Sequence, residues 1–325
     1  MSRAAYVASV NGGIPFDGWN FNIINLGGPA SLTKMHLTRN GDVYFVEEGP
    51  TSGAPYGRIL KRTYGSNDII VQSSILGKWT NITEDSVGDI FAVYRWRSNQ
   101  DNGLAGVYKQ VGGVGTFTQI FQFGNSSSTL YNIEADLVGN VYAACRYSGG
   151  YIYRKPPLSD NFSSIGYGGE WESSTVDSLG NIYFGDFGSY MPLNQGILKI
   201  SNGYSGNSYL TLPSLAPMAM CCDLNNNLYL GILYASYIVR YLYGETTYNS
   251  YCPSGSVYRK GICIDSSNTL YLSAITGYKI QYSILNSGIV NYYSPDIGSL
   301  DIWDMIIDKD NKLLAVGYNS LYVYP

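Results

Sequence analysis

The sequence is poor in the groups on which most catalytic and nucleic-acid sites depend. It contains one histidine, His36, which leaves little basis for a Ser–His–Asp triad or a histidine-rich metal site. Charged residues make up 14% of the chain, no run of Lys or Arg occurs, and the net charge is −4, so no nucleic-acid partner is expected. The five cysteines are odd in number and lack a C-x-x-C pair, which argues against a disulfide framework or a zinc site and predicts buried free thiols.

Long apolar runs are also missing. No stretch approaches the roughly 20 residues that span a bilayer, so no membrane insertion is expected. The N-terminal residues lack the apolar segment of a secretory signal. The chain is therefore expected to stay where it is made, to be already processed, or to leave by another route, such as inside a virion. Its polar composition favours a virion or extracellular surface over the cytoplasm, and the location stays open.

Tyrosine and glycine are abundant, with 32 and 38 residues among 325. Tyrosine favours strands and glycine favours turns, so the composition predicts β-sheets joined by many tight connections. A hydrophobic content of 45% is sufficient for a core.

A short string recurs along the whole chain. It reads DSLGNIYFG from Asp177, and its relatives are TRNGDVYFV, DSVGDIFAV, DLVGNVYAA, DLNNNLYLG, DSSNTLYLS and DKDNKLLAV. The repeats are led by residues 39, 85, 136, 177, 223, 265 and 308, at intervals of 41 to 51 residues. Such a period is typical of a solenoid or a propeller, and four short strands fit into each unit. No segment keeps a helical period of 3.6 residues, which disfavours a helical solenoid.

The repeats predict an all-β fold in which residues 1–325 form a single seven-bladed β-propeller with four-stranded antiparallel blades. The last unit supplies its third strand at Ser320–Pro325 and no fourth. A spare β-like segment, Ala4–Gly12, precedes the first repeat. We expect residues 1–12 to close the last blade as its outer strand and to cover an exposed sheet edge.

The pattern Asp-x-x-Gly-Asn-hydrophobic-Tyr, followed by a Gly-Ile-x-Lys/Arg strand, resembles the NHL-type propellers. That group includes regucalcin-like lactonases and streptogramin lyases. The resemblance extends over essentially the whole chain at the level of blades. It is specific for architecture and says little about activity, because one fold hosts unrelated functions.

The repeated string is predicted to be a structural hairpin turn. Its Asp carboxylate can accept backbone N–H groups, and its Gly or Asn can adopt positive φ. Structural roles are assigned to the following residues: Asp85, Gly88, Asp136, Gly139, Asp177, Gly180, Asp223, Asp265 and Asp308. In the propellers that it resembles, this turn lies opposite the usual binding face.

A ligand site is therefore expected among the loops that join the second strand of a unit to the third. These loops are long in units 1, 2 and 4 and short in the later units. Loops of unequal length on regularly repeated units suggest that the functional surface lies on the side of the ring that carries the long loops. The candidate ligand-binding residues, which suit a sugar or a protein surface, are Glu47, Glu48, Tyr56, Arg95, Trp96, Arg97, Asp101, Arg146, Tyr147, Asp186 and Tyr190. Ordinary surface loops without a ligand are the alternative.

A second candidate site is the mouth of the channel. Regucalcin-like enzymes bind a divalent cation there, and Asn81, Asn132 and Asp304 are of matching chemical types. Oxygen ligands suit Ca²⁺ or another hard cation. The order of the blades does not reproduce the family pattern, and no cofactor is the main expectation.

Streptogramin lyases need a histidine near the channel, and only His36 could serve, although its apolar neighbours predict a packed strand residue. Trp79, Trp171 and Trp303 are expected to pack in the core, with an aromatic rim as the alternative.

Three functions stay open. The favoured one is a non-enzymatic recognition or structural module, such as a receptor-binding, tail or decoration protein of a phage or virion, which binds a glycan or a protein and has a virion assembly partner. The second is a regucalcin-like, metal-dependent hydrolase or lactonase. The third is an intracellular scaffold that binds a partner protein.

Overall fold

The fold was analysed in a computed structural model. The structure describes residues 22–26, 31–48, 57–73, 75, 77–95, 105–123, 129–146, 150–187, 196–212, 216–232, 237–251, 258–274, 279–284, 290–293, 302–317 and 320–324. Over these residues it contains 28 strands and two short 3-10 helices, Val111–Gly113 and Asn202–Tyr204. No helix in this part of the chain is long and apolar enough to cross a membrane.

The strands of the first half follow one another in chain order. They are β1 (Asn22–Asn25), β2 (Ser31–Leu37), β3 (Val43–Glu48), β4 (Ile59–Arg62), β5 (Ile69–Val71), β6 (Trp79–Glu84), β7 (Ile90–Tyr94), β8 (Gly106–Gln110), β9 (Thr118–Gln122), β10 (Thr129–Ala135), β11 (Val141–Arg146), β12 (Gly150–Lys155), β13 (Ser163–Gly169) and β14 (Trp171–Val176).

The second half continues the same pattern. Its strands are β15 (Ile182–Asp186), β16 (Ile197–Ile200), β17 (Asn207–Leu210), β18 (Pro217–Cys222), β19 (Leu228–Ile232), β20 (Ile238–Tyr241), β21 (Tyr248–Ser250), β22 (Tyr258–Ile264), β23 (Thr269–Ala274), β24 (Lys279–Ile284), β25 (Val290–Tyr293), β26 (Asp304–Ile307), β27 (Leu313–Gly317) and β28 (Ser320–Val323).

Within the described residues, these strands form seven four-stranded antiparallel sheets. Sheets 1 to 6 each contain four consecutive strands, starting from β2, β6, β10, β14, β18 and β22, and sheet 7 has the order β1-β28-β27-β26. The first strands contact each other in the order β2, β6, β10, β14, β18, β22 and β26, and β26 contacts β2. The sheets therefore surround a common axis as the four-stranded blades of a β-propeller.

The outer strand of sheet 7 comes from the beginning of the chain. Asn22–Asn25 pairs with β28 from Asn22 opposite Val323 to Asn25 opposite Ser320. Ile24 and Leu26 also pack against the apolar cluster between sheets 7 and 1. The strand predicted for this place, within residues 1–12, lies outside the described residues, and the outer position is taken by Asn22–Asn25.

The repeated string forms the turn between the first and second strands of each sheet. In sheet 4, Asp177 Oδ1 accepts the backbone N–H groups of Leu179 at 3.0 Å and Asn181 at 2.9 Å. Gly180 has a φ of 84°, in the left-handed region that favours glycine. Asn226, Asn268 and Asn311 adopt positive φ at the corresponding position of sheets 5 to 7. The string thus forms a hydrogen-bonded turn in these sheets, and we call this end of the ring the turn end.

One position in the repeat was assigned wrongly. The backbone N–H of Thr38 donates to Asp42 O, and Gly41 N–H donates to Thr38 O. Asp85 makes the same two contacts with Asp89 and Gly88 in the next sheet. The first repeat is therefore led by Thr38, and the prediction of residue 39 is off by one residue.

Burial follows the alternation of the strands. Ile182 and Phe184 of β15 pack into the cluster between sheets 3 and 4, whereas Tyr183 packs into the cluster between sheets 4 and 5. Each second strand is therefore buried on both faces, and the apolar contacts between neighbouring sheets form the core. Trp79 and Trp171 belong to these clusters, which confirms their predicted packing role.

Candidate functional site

The second strands β3, β7, β11 and β15 run away from the turn end and finish at the opposite end of the ring, which we call the loop end. Five of the predicted ligand-binding residues lie here in the described part of the chain: Glu47, Glu48, Arg95, Arg146 and Asp186. The other six, Tyr56, Trp96, Arg97, Asp101, Tyr147 and Tyr190, lie outside the described residues.

The first strands are irregular at the loop end. Their pairing with the second strand shifts by one residue in sheets 1 to 5, between Leu32 and Lys34, Trp79 and Asn81, Leu130 and Asn132, Trp171 and Ser173, and Pro217 and Ala219. The extra residues are Thr33, Thr80, Tyr131, Glu172 and Met218. A bulge of this kind re-aims a side chain and is common next to functional sites.

Tyr131, one of these extra residues, lies between two arginines. The guanidinium carbon of Arg146 is 4.9 Å from the centre of the Tyr131 ring, and that of Arg95 is 5.7 Å from it. Both distances are within the range of cation–π attraction. Burial, together with the nearby carboxylates of Glu172 and Glu48, raises the pKa of the Tyr131 hydroxyl, so it stays protonated.

Each arginine of this stack is also held by a carboxylate. Arg95 Nη1 lies 3.0 Å from Glu48 Oε1, and Lys78 Nζ lies 3.7 Å from the same oxygen. Arg146 Nε lies 2.6 Å from Glu172 Oε2. Because the glutamates fix the guanidinium planes, the stack is preorganised rather than dependent on a ligand for its shape. We call Glu48, Arg95, Tyr131, Arg146 and Glu172 the Arg–Tyr–Arg cluster.

Two further carboxylates flank the cluster. Arg58 Nε donates to Glu47 Oε2 and Arg58 Nη2 donates to Glu47 Oε1, each at 2.7 Å. This pair of bonds holds the start of β4. Asp186 Oδ1 accepts the backbone N–H of Glu170 at 2.8 Å. Burial and then the proximity of Asp186 raise the pKa of Glu170, and the charge of Arg146 opposes this.

The residues predicted for a cation site make hydrogen bonds between sheets. Asn81 Nδ2 donates to Asn132 Oδ1 at 3.0 Å, and Asn132 Nδ2 donates to Trp171 O at 2.8 Å. Asp304 Oδ2 accepts Met35 N–H at 2.8 Å and pairs with Lys34 at 3.5 Å through Oδ1. These bonds connect sheets 2, 3 and 4, and sheets 7 and 1. Among the described residues, no group of three or more His, Cys, Asp or Glu side chains is placed to hold a metal. Cation binding at Asn81, Asn132 and Asp304 stays a prediction.

His36 lies at the turn end of β2 and is partly buried. It lines a cavity of about 130 Å³ together with Glu84 and Glu134. This cavity is at the end of the ring opposite the Arg–Tyr–Arg cluster, so His36 is not part of that cluster.

Of the four described cysteines, Cys145 and Cys263 are buried, as expected, whereas Cys221 and Cys222 are partly exposed. Cys221, Cys222 and Cys263 line a cavity of about 70 Å³ to which the inner strands of sheets 1, 4, 5, 6 and 7 contribute. Burial raises the pKa of Cys222 well above its usual value, and burial raises that of Cys145 to about 12. Both thiols therefore stay protonated and serve as small apolar packing groups.

Three residues of the loop end escaped the sequence-based prediction. Tyr131 looks like any strand tyrosine in the sequence, and only the bulge of β10 brings it between the arginines. Lys78 and Arg58 precede strands and carry no motif.

No family model matches the chain, and no curated protein does. Several solved structures are similar to the chain. A catalytically inactive virginiamycin B lyase from Staphylococcus aureus, solved with quinupristin, is 13% identical over 95% of this chain and 100% of that chain, with a TM-score of 0.73. A streptogramin B lyase is 16% identical over 94% and 97%, with a TM-score of 0.74. YCF48 bound to a D1 peptide is 11% identical over 96% of both chains, with a TM-score of 0.67. At these identities the likeness shows the β-propeller fold alone.

Proposed function

We propose that the chain is a non-enzymatic recognition module whose loop end binds a protein or glycan surface, and that it is displayed on a virion or another exposed surface. The observation that carries the first part is the Arg–Tyr–Arg cluster. The virion location rests on the composition of the chain.

The cluster combines the side chains that dominate recognition surfaces. Tyrosine and arginine are enriched among the residues that contribute most binding energy. Tyrosine offers a large contact area with few rotatable bonds, and arginine offers several hydrogen-bond donors in one plane. Here Glu48 and Glu172 hold both arginines in place, so little conformational entropy is lost on binding. Tyr131 itself is buried, and the partly exposed guanidinium groups of Arg95 and Arg146 are the donors that a sugar hydroxyl or a protein carbonyl would meet.

The test is a binding screen with two probes, a glycan array and a displayed library of peptides. The variants Arg95→Gln and Arg146→Gln remove the two cations that hold Tyr131. We expect binding found with the native protein to weaken by about tenfold or more in each variant, which corresponds to about 1.4 kcal/mol.

Lys199→Gln is the matched control. Lys199 also lies over tyrosine rings, 5.6 Å from Tyr183 and 5.8 Å from Tyr243, but it lies away from the loop end. Binding that falls equally in all three variants, or no binding to either probe, contradicts the proposal. Lactone hydrolysis that appears on addition of Ca²⁺ or Mn²⁺ favours the hydrolase, and a peptide ligand without a glycan ligand favours the scaffold.

We infer further that the seven sheets are the blades of one seven-bladed ring and that β1 fastens it. The contact between β26 and β2 and the pairing of β1 with β28 support this. Deletion of residues 1–26 should destabilise the protein by about 3 kcal/mol relative to deletion of residues 1–21, because it uncovers the edge of β28. Equal urea unfolding midpoints for the two deletions would contradict the closure.

A further inference from the structure

The first strands surround the axis of the ring, and at the turn end they present an almost continuous belt of apolar side chains. The residue directly before the leading residue of the turn is apolar in six of the seven sheets, and in sheet 2 it is Glu84. The six apolar residues are Leu37, Ala135, Val176, Cys222, Ile264 and Ile307. Concave, mostly apolar surfaces with a few polar groups are where small molecules bind.

Two cavities lie along this belt. One, of about 70 Å³, is bordered by the first strands of sheets 1, 4, 5, 6 and 7, and the other, of about 130 Å³, by those of sheets 1 to 4. Spaces bordered by the first strands of so many sheets lie on the axis of the ring. Leu37 and Val176 border both cavities, which therefore adjoin. Because a cavity of roughly 150 Å³ admits benzene, two adjoining cavities of this size admit a small organic molecule.

The smaller cavity is apolar. Aliphatic and sulfur-containing side chains form most of its lining, among them Met220, Ile262 and Met305. Of the described residues that border it, none is a lysine, an arginine or a histidine. Its two carboxylates, Asp223 and Asp265, accept hydrogen bonds within their own turns. We call this space the apolar cavity, and an apolar group is more stable there than in water.

The larger cavity has an excess of acidic side chains. Among the described residues that border it, Arg39 and His36 are the basic ones, so carboxylates outnumber bases by four to two even when His36 is counted as charged. Arg39 pairs with Glu84 at 3.3 Å. Glu134 is 8% exposed and accepts the Ser174 hydroxyl at 3.0 Å. The other two carboxylates are those of Asp85 and Asp136. We call this space the acidic cavity, and its charge favours a cation over an anion.

Two buried hydroxyl groups at these cavities have no partner in the described part of the chain. Thr175 borders the apolar cavity and is 4% exposed, and Thr83 borders the acidic cavity and is 2% exposed. Neither hydroxyl makes a hydrogen bond with a described residue. Buried polar groups nearly always have a partner, so these two point to a ligand that supplies one. A hydroxyl oxygen can accept a hydrogen bond from an ammonium group.

We propose that the turn end of the channel binds a small molecule with an apolar body and a protonated amino group. The body lies in the apolar cavity against Cys222, Ile264 and Ile307. The amino group lies in the acidic cavity near Glu134, where the Thr83 hydroxyl accepts one of its N–H groups. This site is at the end of the ring opposite the Arg–Tyr–Arg cluster, so it is independent of the function proposed for the loop end.

The probes are three molecules of similar size: benzylamine, benzyl alcohol and benzoate. Isothermal titration calorimetry at neutral pH, where benzylamine is protonated and benzoate is ionised, measures their dissociation constants. We expect benzylamine to bind at least about tenfold more tightly than benzyl alcohol. Benzoate should not bind, because the carboxylates of the acidic cavity repel it.

The methyl resonances of methionines locate the ligand. Met220 and Met305 border the apolar cavity, whereas Met218 is the extra residue of β18 at the loop end. In protein with ¹³C-labelled methionine methyl groups, benzylamine should shift the resonances of Met220 and Met305 more than that of Met218.

Two variants and one control test the two cavities separately. Glu134→Gln removes a carboxylate and keeps an oxygen for the Ser174 hydroxyl, so it should weaken benzylamine binding about tenfold and leave benzyl alcohol unchanged. Val176→Phe fills the place where the cavities adjoin and should abolish binding of both. Glu245→Gln is the matched control, because Glu245 is exposed between β20 and β21 and should affect neither. Thermal melting checks that each variant folds.

Four results would contradict the site. The native protein binds none of the probes, or it binds benzyl alcohol or benzoate as tightly as benzylamine. Glu134→Gln and Glu245→Gln change benzylamine binding equally, or Val176→Phe leaves it intact. Larger shifts at Met218 than at Met220 and Met305 would place the ligand at the loop end and overturn the proposal as well.

Discussion

Sheets 3 to 6 and sheets 1, 2 and 7 stabilise the same turn by different means. In sheets 3 to 6, a tyrosine six residues after the leading Asp donates its hydroxyl to that Asp, as from Tyr142 to Asp136 at 3.3 Å. The other three pairs are Tyr183 with Asp177, Tyr229 with Asp223 and Tyr271 with Asp265. This bond explains part of the tyrosine content of the chain.

Sheets 1, 2 and 7 lack this bond, and a lysine or an arginine lies near the turn instead. In sheet 1 the Asp is replaced by Thr38, Tyr44 OH donates to Gln110, and Asp42 pairs with Lys61 at 2.7 Å. In sheet 2 the tyrosine is replaced by Phe91, which lies under Lys155. In sheet 7 it is replaced by a leucine, and Asp308 lies 3.9 Å from Arg62 of sheet 1.

The three exceptional sheets are neighbours around the junction where the ring closes. Tyrosine hydrogen bonds to the leading carboxylate, within one sheet, therefore hold the middle of the chain. At the junction, lysine and arginine side chains take their place, and those of Lys155 and Arg62 reach between sheets. Hydrogen bonds to a buried carboxylate are insensitive to salt, and partly exposed ion pairs are screened by it. The two regions should respond differently to mutation, salt and pH.

The largest effect is expected from Asp177→Ala in sheet 4. Asp177 is fully buried and accepts four hydrogen bonds, from two backbone N–H groups, from Asn181 Nδ2 and from Tyr183 OH. Removal of the carboxylate leaves buried donors without an acceptor, which should lower the free energy of unfolding by about 4 kcal/mol. Urea unfolding followed by circular dichroism measures it. A loss below about 1 kcal/mol would show that the turn is not a determinant of stability.

The second effect is a difference between two conservative changes, Asp177→Asn and Asp85→Asn. In sheet 4 an amide nitrogen would face the Tyr183 hydroxyl and Asn181 Nδ2, which are donors. In sheet 2, Asp85 Oδ1 accepts the backbone N–H groups of Val87 and Asp89. Phe91, which stands where sheet 4 has Tyr183, has no hydroxyl to donate to the other oxygen. We therefore expect Asp177→Asn to lower the free energy of unfolding by about 2 kcal/mol more than Asp85→Asn does. Equal unfolding midpoints for the two variants would remove the distinction between the regions.

The third effect tests the junction through Arg39→Met. Arg39 of sheet 1 donates its backbone N–H to Glu84 of sheet 2 at 2.8 Å, and its guanidinium reaches the carbonyl oxygens of Asp85 and Ser86. Because Arg39 is partly exposed, the expected loss is about 1.5 kcal/mol. The loss should shrink in high salt, whereas that of Asp177→Ala should not. A loss that is independent of salt argues against an ionic junction.

The sequence was sufficient for the fold because the turn and the strands obey local rules. Asp, Gly and Asn at fixed offsets determine the hairpin, and the alternation of residues such as Ile182 and Tyr183 determines which neighbouring sheet each contacts. In the first repeat, Thr38 stands where the other repeats have Asp. Without the Asp, the leading position could not be recognised by its residue type, which led to the one-residue error.

The loop end could be predicted only in outline. Arg95 and Arg146 were identified because they follow strands, but their partner Tyr131 depends on a bulge that no residue type announces. Glu172, which pairs with Arg146, was not among the predicted site residues. A contact that joins sheets 2, 3 and 4 is a property of the ring, and no local pattern encodes it.

The smallest effect concerns pH. Burial raises the pKa of Asp85 above its usual 3.8, and the hydrogen bonds from Val87 and Asp89 and the charge of Lys155 only partly oppose this. The folded state therefore holds the proton more tightly than the unfolded state, so this group's contribution makes the protein less stable as pH rises from 3.8 through the raised pKa. Asp85→Asn cannot titrate, and its unfolding free energy should fall less steeply than that of the native protein in this interval. Urea midpoints over a pH series measure both slopes. Parallel slopes would show that Asp85 has the same pKa in the folded and unfolded states. The comparison between sheet 2 and the tyrosine-bonded sheets would then rest on the mutations alone.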